Sequence, residues 1–140
     1  MIEVKNVTKS FDDKTILHDV SATFESGKTN LIIGQSGSGK TVLLKSIVGL
    51  LHPEKGEILF DGRDIMKMSA EEVKELRKEI GMLFQGSALF DSETVLGNVM
   101  FPLSMFTKMS AGEMRDRAQF CLERVNLKGA DNKFPSEISG

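Results

Sequence analysis

The sequence holds a single cysteine, Cys121, in 140 residues. No disulfide can close within the chain, which fits a reducing compartment. No apolar stretch approaches the roughly 18 residues that a bilayer-spanning helix needs. The opening MIEVKNVTKS lacks the apolar centre of a secretion signal, so the expectation is a chain that begins and stays inside the cell. Runs of basic residues are missing and the formal net charge is −2, which leaves no field to recruit nucleic acid. Internal repeats, low-complexity tracts and linkers are missing too. What is present is an ordinary globular mix, 40% hydrophobic and 27% charged, of a length for one domain. Any ligand must be gripped at a local site.

The patterning predicts interleaved strands and helices. Ile2–Val7 alternates, with Ile2, Val4 and Asn6 against Glu3, Lys5 and Val7. His18–Phe24 alternates more clearly, with Val20, Ala22 and Phe24 on one face, and Asp12-Asp13-Lys14 between the two is turn chemistry. Leu31-Ile32-Ile33 and Gly81-Met82-Leu83-Phe84 are short continuous apolar runs, expected as strands buried on both faces. Val42, Leu43, Ile47, Leu50 and Leu51 fall on helical spacing. Glu57–Phe60 reads as a strand ended by the turn pair Asp61-Gly62. Two further helices are announced by capping boxes, Ser69 with Glu72 and Ser110 with Glu113. Val73, Leu76 and Ile80 follow the first; Met114, Ala118, Cys121, Leu122 and Val125 follow the second, each set on one face. Strand, glycine loop, helix and later strands make an α/β pattern.

The chemistry concentrates at residues 34–41, Gly-Gln-Ser-Gly-Ser-Gly-Lys-Thr, which fits G-x-x-x-x-G-K-[ST], the P-loop. Gly34, Gly37 and Gly39 are expected to turn with positive φ, so that successive N–H groups converge on a phosphate. The helix that starts there adds its positive dipole end. Lys40 can reach β- and γ-phosphates, and the Thr41 hydroxyl can ligate Mg²⁺. A chance match in a chain of this length arises on the order of five times in a thousand. A buried strand expected before the match and a helix after it give it the right context. His18 and His52 have no carboxylate or cysteine partners at metal spacing, so surface or structural roles suit them better. Cys121, on an apolar stripe, suits a small core residue. The charges from Glu71-Glu72 to Lys78-Glu79 suit a solvated helix face.

Three further segments surround the loop. Phe11 lies 29 positions before Lys40, Gln85 follows Met82-Leu83-Phe84, and the chain ends in Pro135-Ser136-Glu137-Ile138-Ser139-Gly140. With Gly49-Leu50-Leu51-His52-Pro53-Glu54-Lys55-Gly56-Glu57-Ile58, this arrangement resembles the ABC ATPase (nucleotide-binding domain) family over the whole chain. The resemblance implies a P-loop NTPase (RecA-like) core at about 29–51 and 65–85. It also implies an antiparallel β subdomain at about 1–28 and 52–64, and part of a helical subdomain at 86–140. It implies ATP held by Phe11 and by Gly34, Gln35, Ser36, Gly37, Ser38, Gly39, Lys40, Thr41 and Val42. Phe11 would stack on adenine, since a flat apolar ring can contact either face of a base; by position alone it reads equally as a core aromatic. Gln85 would help Thr41 hold Mg²⁺ and would position the attacking water; by itself it is a polar strand end. Ser139 and Gly140 would open the signature that touches the γ-phosphate of a second subunit, with Ile138 in place of the usual Leu. Alone, they are a loop end.

A narrower likeness lies in Met82–Ser92 and Asn98–Leu103, which are similar to the ATPase subunit of Mla-type phospholipid transporters. There the family docks a transmembrane permease, near 86–106. Leu89, Phe90, Met100, Phe101, Met105 and Phe106 are a dense apolar set, for most of which core packing is the better reading. The implied protein is a peripheral subunit on the inner face of the cell membrane, working as a head-to-tail dimer, binding no nucleic acid and coupling ATP hydrolysis to lipid transport. The alternatives are a non-transport ABC ATPase and a nucleotide-binding regulatory module.

Two departures matter. Val42 stands where the family usually has a second hydroxyl near the α-phosphate, although its N–H can still donate. The sequence also stops at Gly140 with no apolar strand ending in Asp-Glu and no later histidine. The family uses these for Mg²⁺, the water and the γ-phosphate. The expectation is therefore the first part of a domain of about 250 residues, able at best to hold nucleotide. Its Leu31–Ile33 edge would lack a neighbour, favouring self-association or partial disorder.

Overall fold

In a computed structural model, which describes residues 1–84 and 88–138, two compact units follow one another, Met1–Gly81 and Met82–Gly140. The first is organised around an antiparallel sheet of order β2-β1-β3-β4. Its strands are β1 (Ile2–Phe11), β2 (Lys14–Phe24), β3 (Lys55–Phe60) and β4 (Arg63–Asp64). Asp12 (φ 49°) closes the β1–β2 hairpin, with Phe11 opposite Lys14. Asp61 and Gly62, at φ 47° and 77°, make the tight turn between β3 and β4.

The alternation expected in β1 breaks at Asn6. Val4 and Val7, three apart, are both buried, while Asn6 is exposed at φ 52°. The register with β2 shifts between Val4 and Val7, and Asp19 (φ 51°) does the same for Leu17 and Val20. A bulge adds a residue to the strand and moves later side chains to the other face. That shift puts Val7 and Leu17 into the core. β3 passes close to the distortion at Gly56 (φ 95°), where a Cβ would stand 2.5 Å from the Lys5 carbonyl oxygen. Only glycine fits there.

Helix α1 (Lys40–Ile47) packs on β1 and β2 and buries Leu43 and Ile47. It ends sooner than its apolar spacing predicts. Gly49 (φ 69°) reverses the chain, with Gly49 N–H donating to Ser46 O (3.0 Å) and Leu50 N–H to Lys45 O (2.8 Å). This is a Schellman cap, and it places Leu50 and Leu51 outside the helix. α2 (Ala70–Lys78) carries the predicted capping box and buries Val73 and Leu76, while Ile80 packs on the core from beyond the helix end. Arg77 Nη2 donates to Gly49 O at 2.7 Å, tying α2 to the end of α1. Val4, Val7, Leu17, Leu43, Ile47, Ile58, Ile65 and Leu76 form one core.

The two apolar runs expected as buried strands are not strands. Leu31 and Ile33 are each 81% exposed, with Ile32 alone packed inward, and Leu83 is 96% exposed. A strand needs neighbours to take its N–H and C=O groups, and among the described residues neither run has a pairing strand.

The second unit pairs α3 (Val95–Phe106) with α4 (Ala111–Arg124). The first free amides of α3 donate to loop carbonyls, Val95 N–H to Lys133 O (2.8 Å) and Leu96 N–H to Asp131 O (3.1 Å). Thr94 caps the Gly97 N–H. The Asn98 side chain gathers the preceding turn: its Oδ1 accepts from Phe90 N–H, and its Nδ2 donates to the carbonyls of Phe90, Glu93 and Thr94. α4 begins in the predicted box at Ser110 and ends on Asn126 (φ 59°), where Leu127 N–H donates to Leu122 O. Val125, placed by spacing on the buried stripe, is the cap residue and is exposed. Val95, Leu96, Ala118, Leu122 and Ala130 form the second core; Cys121, expected as a small core residue, is only half-buried.

Candidate functional site

The glycine loop closes on itself before α1. Gly37 (φ 79°) and Gly39 (φ 92°) turn in the left-handed region. Gly34 does not, which corrects the expectation of positive φ at all three. A Cβ there would meet the Ser38 hydroxyl oxygen at 2.7 Å, a contact that turning the Ser38 side chain relieves. Gly39 is held doubly: besides its φ, a Cβ would meet Leu17 Cδ2 at 2.9 Å and Ile16 Cγ2 at 3.2 Å. Strand β2 thus lies directly under the entry to α1.

Lys40 curls back over the loop, its Nζ donating to Gly34 O (2.8 Å) and Gln35 O (2.7 Å), and Ser38 N–H donates to the same Gln35 oxygen (3.2 Å). One ammonium group therefore fills the mouth of the turn. Gly39 caps α1 without a side chain, so no cap side chain accepts from the first-turn amides. These amides and the helix dipole make a positive pole there. Gln35, Ser36, Ser38 and Thr41 are exposed around this pole, whereas Val42 is partly buried against the first core. The arrangement suits an anion with several oxygens.

Phe11 stands at the turn end of the β1–β2 hairpin, 43% exposed, and is not a core aromatic. Its strand partner Lys14 is two residues from Ile16, which abuts Gly39. Two strand residues span about 7 Å, so ring and loop belong to one locality. Sequence reasoning missed what lies on the ring: Lys9 Nζ sits 5.1 Å from its centroid. Lys9 is paired with the Glu54 carboxylate, whose Oε2 also accepts the Ser10 N–H (2.8 Å), while Glu54 N–H donates to Thr8 O (3.0 Å). The Lys9 side-chain donor and then the Ser10 amide hold the Glu54 carboxyl below its ordinary range. No local signal joins positions 9 and 54; only the pairing of β1 with β3 brings them together.

Gln85, Ser139 and Gly140 lie outside the described residues. Among the described residues, no group of three His, Cys, Asp or Glu could hold a metal ion, and no helix is long and apolar enough to cross a membrane. His18 and His52 are exposed.

The apolar set of the second unit departs from its expected burial. Leu89, Phe90, Phe101, Met105 and Phe106 are all exposed, and Met100 alone packs on the second core. α3 is apolar on every side, and α4 with the 130–133 loop covers one face only. Phe90 and Phe101 meet edge to face, with centroids 4.8 Å apart. They border a groove of about 420 Å³ that also takes in Glu93, Met100, Ser104 and Met114.

Comparison with known proteins places these features. A family model described as "ABC transporter" matches residues 17–140. The chain is 48% identical over 139 residues to the "Probable ribonucleotide transport ATP-binding protein mkl" of Mycobacterium leprae, covering 99% of this chain and 40% of that protein. It is 46% identical over 140 residues to the "Intermembrane phospholipid transport system ATP-binding protein MlaF" of Haemophilus influenzae, covering 100% of this chain and 53% of that protein. Its fold matches a dimeric post-hydrolysis state of the ATP-binding cassette MJ0796 bound to ADP and Pi. The TM-score is 0.86 at 33% identity, covering 99% of this chain and 63% of that one. The chain spans about half the length of the curated relatives it matches.

Proposed function

The chain belongs to the ABC transporter family, and from that premise we propose that it forms the ATP-gripping part of a transport ATPase subunit. The supporting observation is the closed glycine turn: Lys40 rests on two carbonyls of its own loop, above helix amides left without a side-chain cap. A triphosphate offers better acceptors than either carbonyl. Its oxygens draw Lys40 Nζ outward and take the amides of residues 37–42, so the ammonium exchanges neutral carbonyl acceptors for charged phosphate oxygens. Mg²⁺, when bound, neutralises phosphate charge. The exposed Thr41 hydroxyl is an oxygen donor suited to it, with Gln85 as the second. Phe11 stacks on the adenine. Calorimetry on the full natural chain should show ATP uptake with Mg²⁺, weakened about ten- to hundredfold by Lys40→Ala. No heat of binding, or no effect of the substitution, overturns the reading.

The division into β-rich, loop-bearing and helical parts belongs to the same proposal. So does assembly as a head-to-tail dimer, in which Ser139 and Gly140 reach the partner's nucleotide. A chain limited to these 140 residues lacks an Asp-Glu pair after an apolar strand. It positions ATP without activating water and releases no phosphate. The exposed apolar groove along α3 supports docking of a membrane permease at the inner face of the membrane.

For the cargo we favour phospholipid or another lipid, on the likeness of Met82–Ser92 and Asn98–Leu103 and on the phospholipid-system relative. The ribonucleotide-transport relative supports a second reading. ATP-driven movement of a fluorescent phospholipid in vesicles holding the full complex supports the first. Movement of a labelled ribonucleotide alone supports the second.

A further inference from the structure

The geometry points to Lys9 as a positioning residue for base recognition, held over Phe11 by Glu54. The inference rests on the reading that Phe11 stacks on adenine.

Lys9 has three ties. Its ammonium lies 5.1 Å from the Phe11 centroid, it is paired with Glu54, and its side chain is only 13% exposed. Glu54 in turn is fixed by the main chain of β1, through the Ser10 N–H and the Thr8 carbonyl. Ordinary surface lysines lose rotamer freedom only when several contacts hold them, and here they do. Two consequences follow for the ring. One of its faces is occupied, so a base has a single place to lie. The cation also draws π density to its own side, leaving the opposite face less negative and better suited to an electron-rich purine. Both effects act on the base and neither acts on the phosphates. A lysine that merely fastened β1 to residue 54 would change overall stability instead, and so affect every ligand alike.

Calorimetry on the full chain with two probes, ATP and inorganic tripolyphosphate, separates these roles. Lys9→Met keeps the apolar stem and removes the charge. It should weaken ATP about two- to fivefold and leave tripolyphosphate unchanged, with Lys9→Arg restoring ATP. Glu54→Gln keeps an acceptor for Ser10 while loosening Lys9, and should shift ATP in the same direction. Unchanged ATP affinity in Lys9→Met, or equal weakening of both probes, overturns the role of Lys9. Phe11→Ala tests the underlying stacking: it should weaken ATP at least about fivefold with tripolyphosphate unaffected. If it does not, the stacking reading fails and the role of Lys9 fails with it.

Discussion

The helices α2 and α4 and the apolar runs at 31–33 and 81–84 looked equally well specified in sequence, and only the helices formed as expected. The difference lies in where the hydrogen bonds come from. A helix satisfies its own main chain, and Ser69 with Glu72, or Ser110 with Glu113, covers amides that its first turn leaves over. A strand borrows every bond from a neighbour. The hairpins β1–β2 and β3–β4 formed because each carries its neighbour within a few residues. Among the described residues, the 31–33 and 81–84 runs carry none. Apolar character says that a segment wants cover; it does not supply a pairing partner.

The comparison can be broken most directly in the sheet. Ile58 on β3 is fully buried among its partners, so Ile58→Ala should cost about 2–5 kcal/mol in denaturant unfolding. Leu83→Ala, the same kind of deletion at an exposed site, should stay within about 0.5 kcal/mol. Equal losses would mean that the run at 81–84 is covered after all. At the helix starts, Ser69→Ala and Ser110→Ala should each cost about 1 kcal/mol, read as thermal midpoint, with aspartate at either position recovering most of it. No loss would deny that the boxes help set these helices.

The smallest effect is the pH dependence of the same caps. The Ser69 and Ser110 amides, then their hydroxyls, hold the Glu72 and Glu113 carboxyls below the ordinary value of 4.5. A carboxyl lowered on folding stabilises fully above its unfolded value and loses that contribution as pH falls through the folded one. The thermal midpoint should therefore drop on acidification below about 4.5, and a Glu72→Gln, Glu113→Gln double variant should flatten part of the drop. Glu54, Asp61 and Glu79 are lowered too and will carry the remainder. An unaltered pH profile in the double variant would sink this account.

Much of the site was legible because its signals are local. The spacing of Gly34, Gly37, Gly39 and Lys40 spells out a backbone turn and one charge within seven residues. Less legible was the reason for each glycine, since crowding at Gly34 depends on where Ser38 points. The bulges at Asn6 and Asp19 were hidden because strict alternation cannot register an inserted residue, although Asn and Asp are the side chains that best tolerate a left-handed turn. The Lys9–Glu54 pair was invisible for a plainer reason. Its members meet only through strand pairing across 45 positions. The apolar surface of α3 was misjudged because a helix apolar all round does not declare how many neighbours it will find.

Asn98 carries one more implication. Its carboxamide both gives and receives at a spot encircled by main-chain groups from Phe90, Glu93 and Thr94. Aspartate would set a carboxylate against three oxygens, glutamine would overshoot by a methylene, and leucine would take the side-chain partner from the Phe90 N–H and the Glu93 carbonyl, while the Phe90 and Thr94 carbonyls keep the Glu93 and Asn98 amides. Only asparagine combines donor and acceptor at this reach, so one carboxamide gathers the two ends of the turn leading into α3.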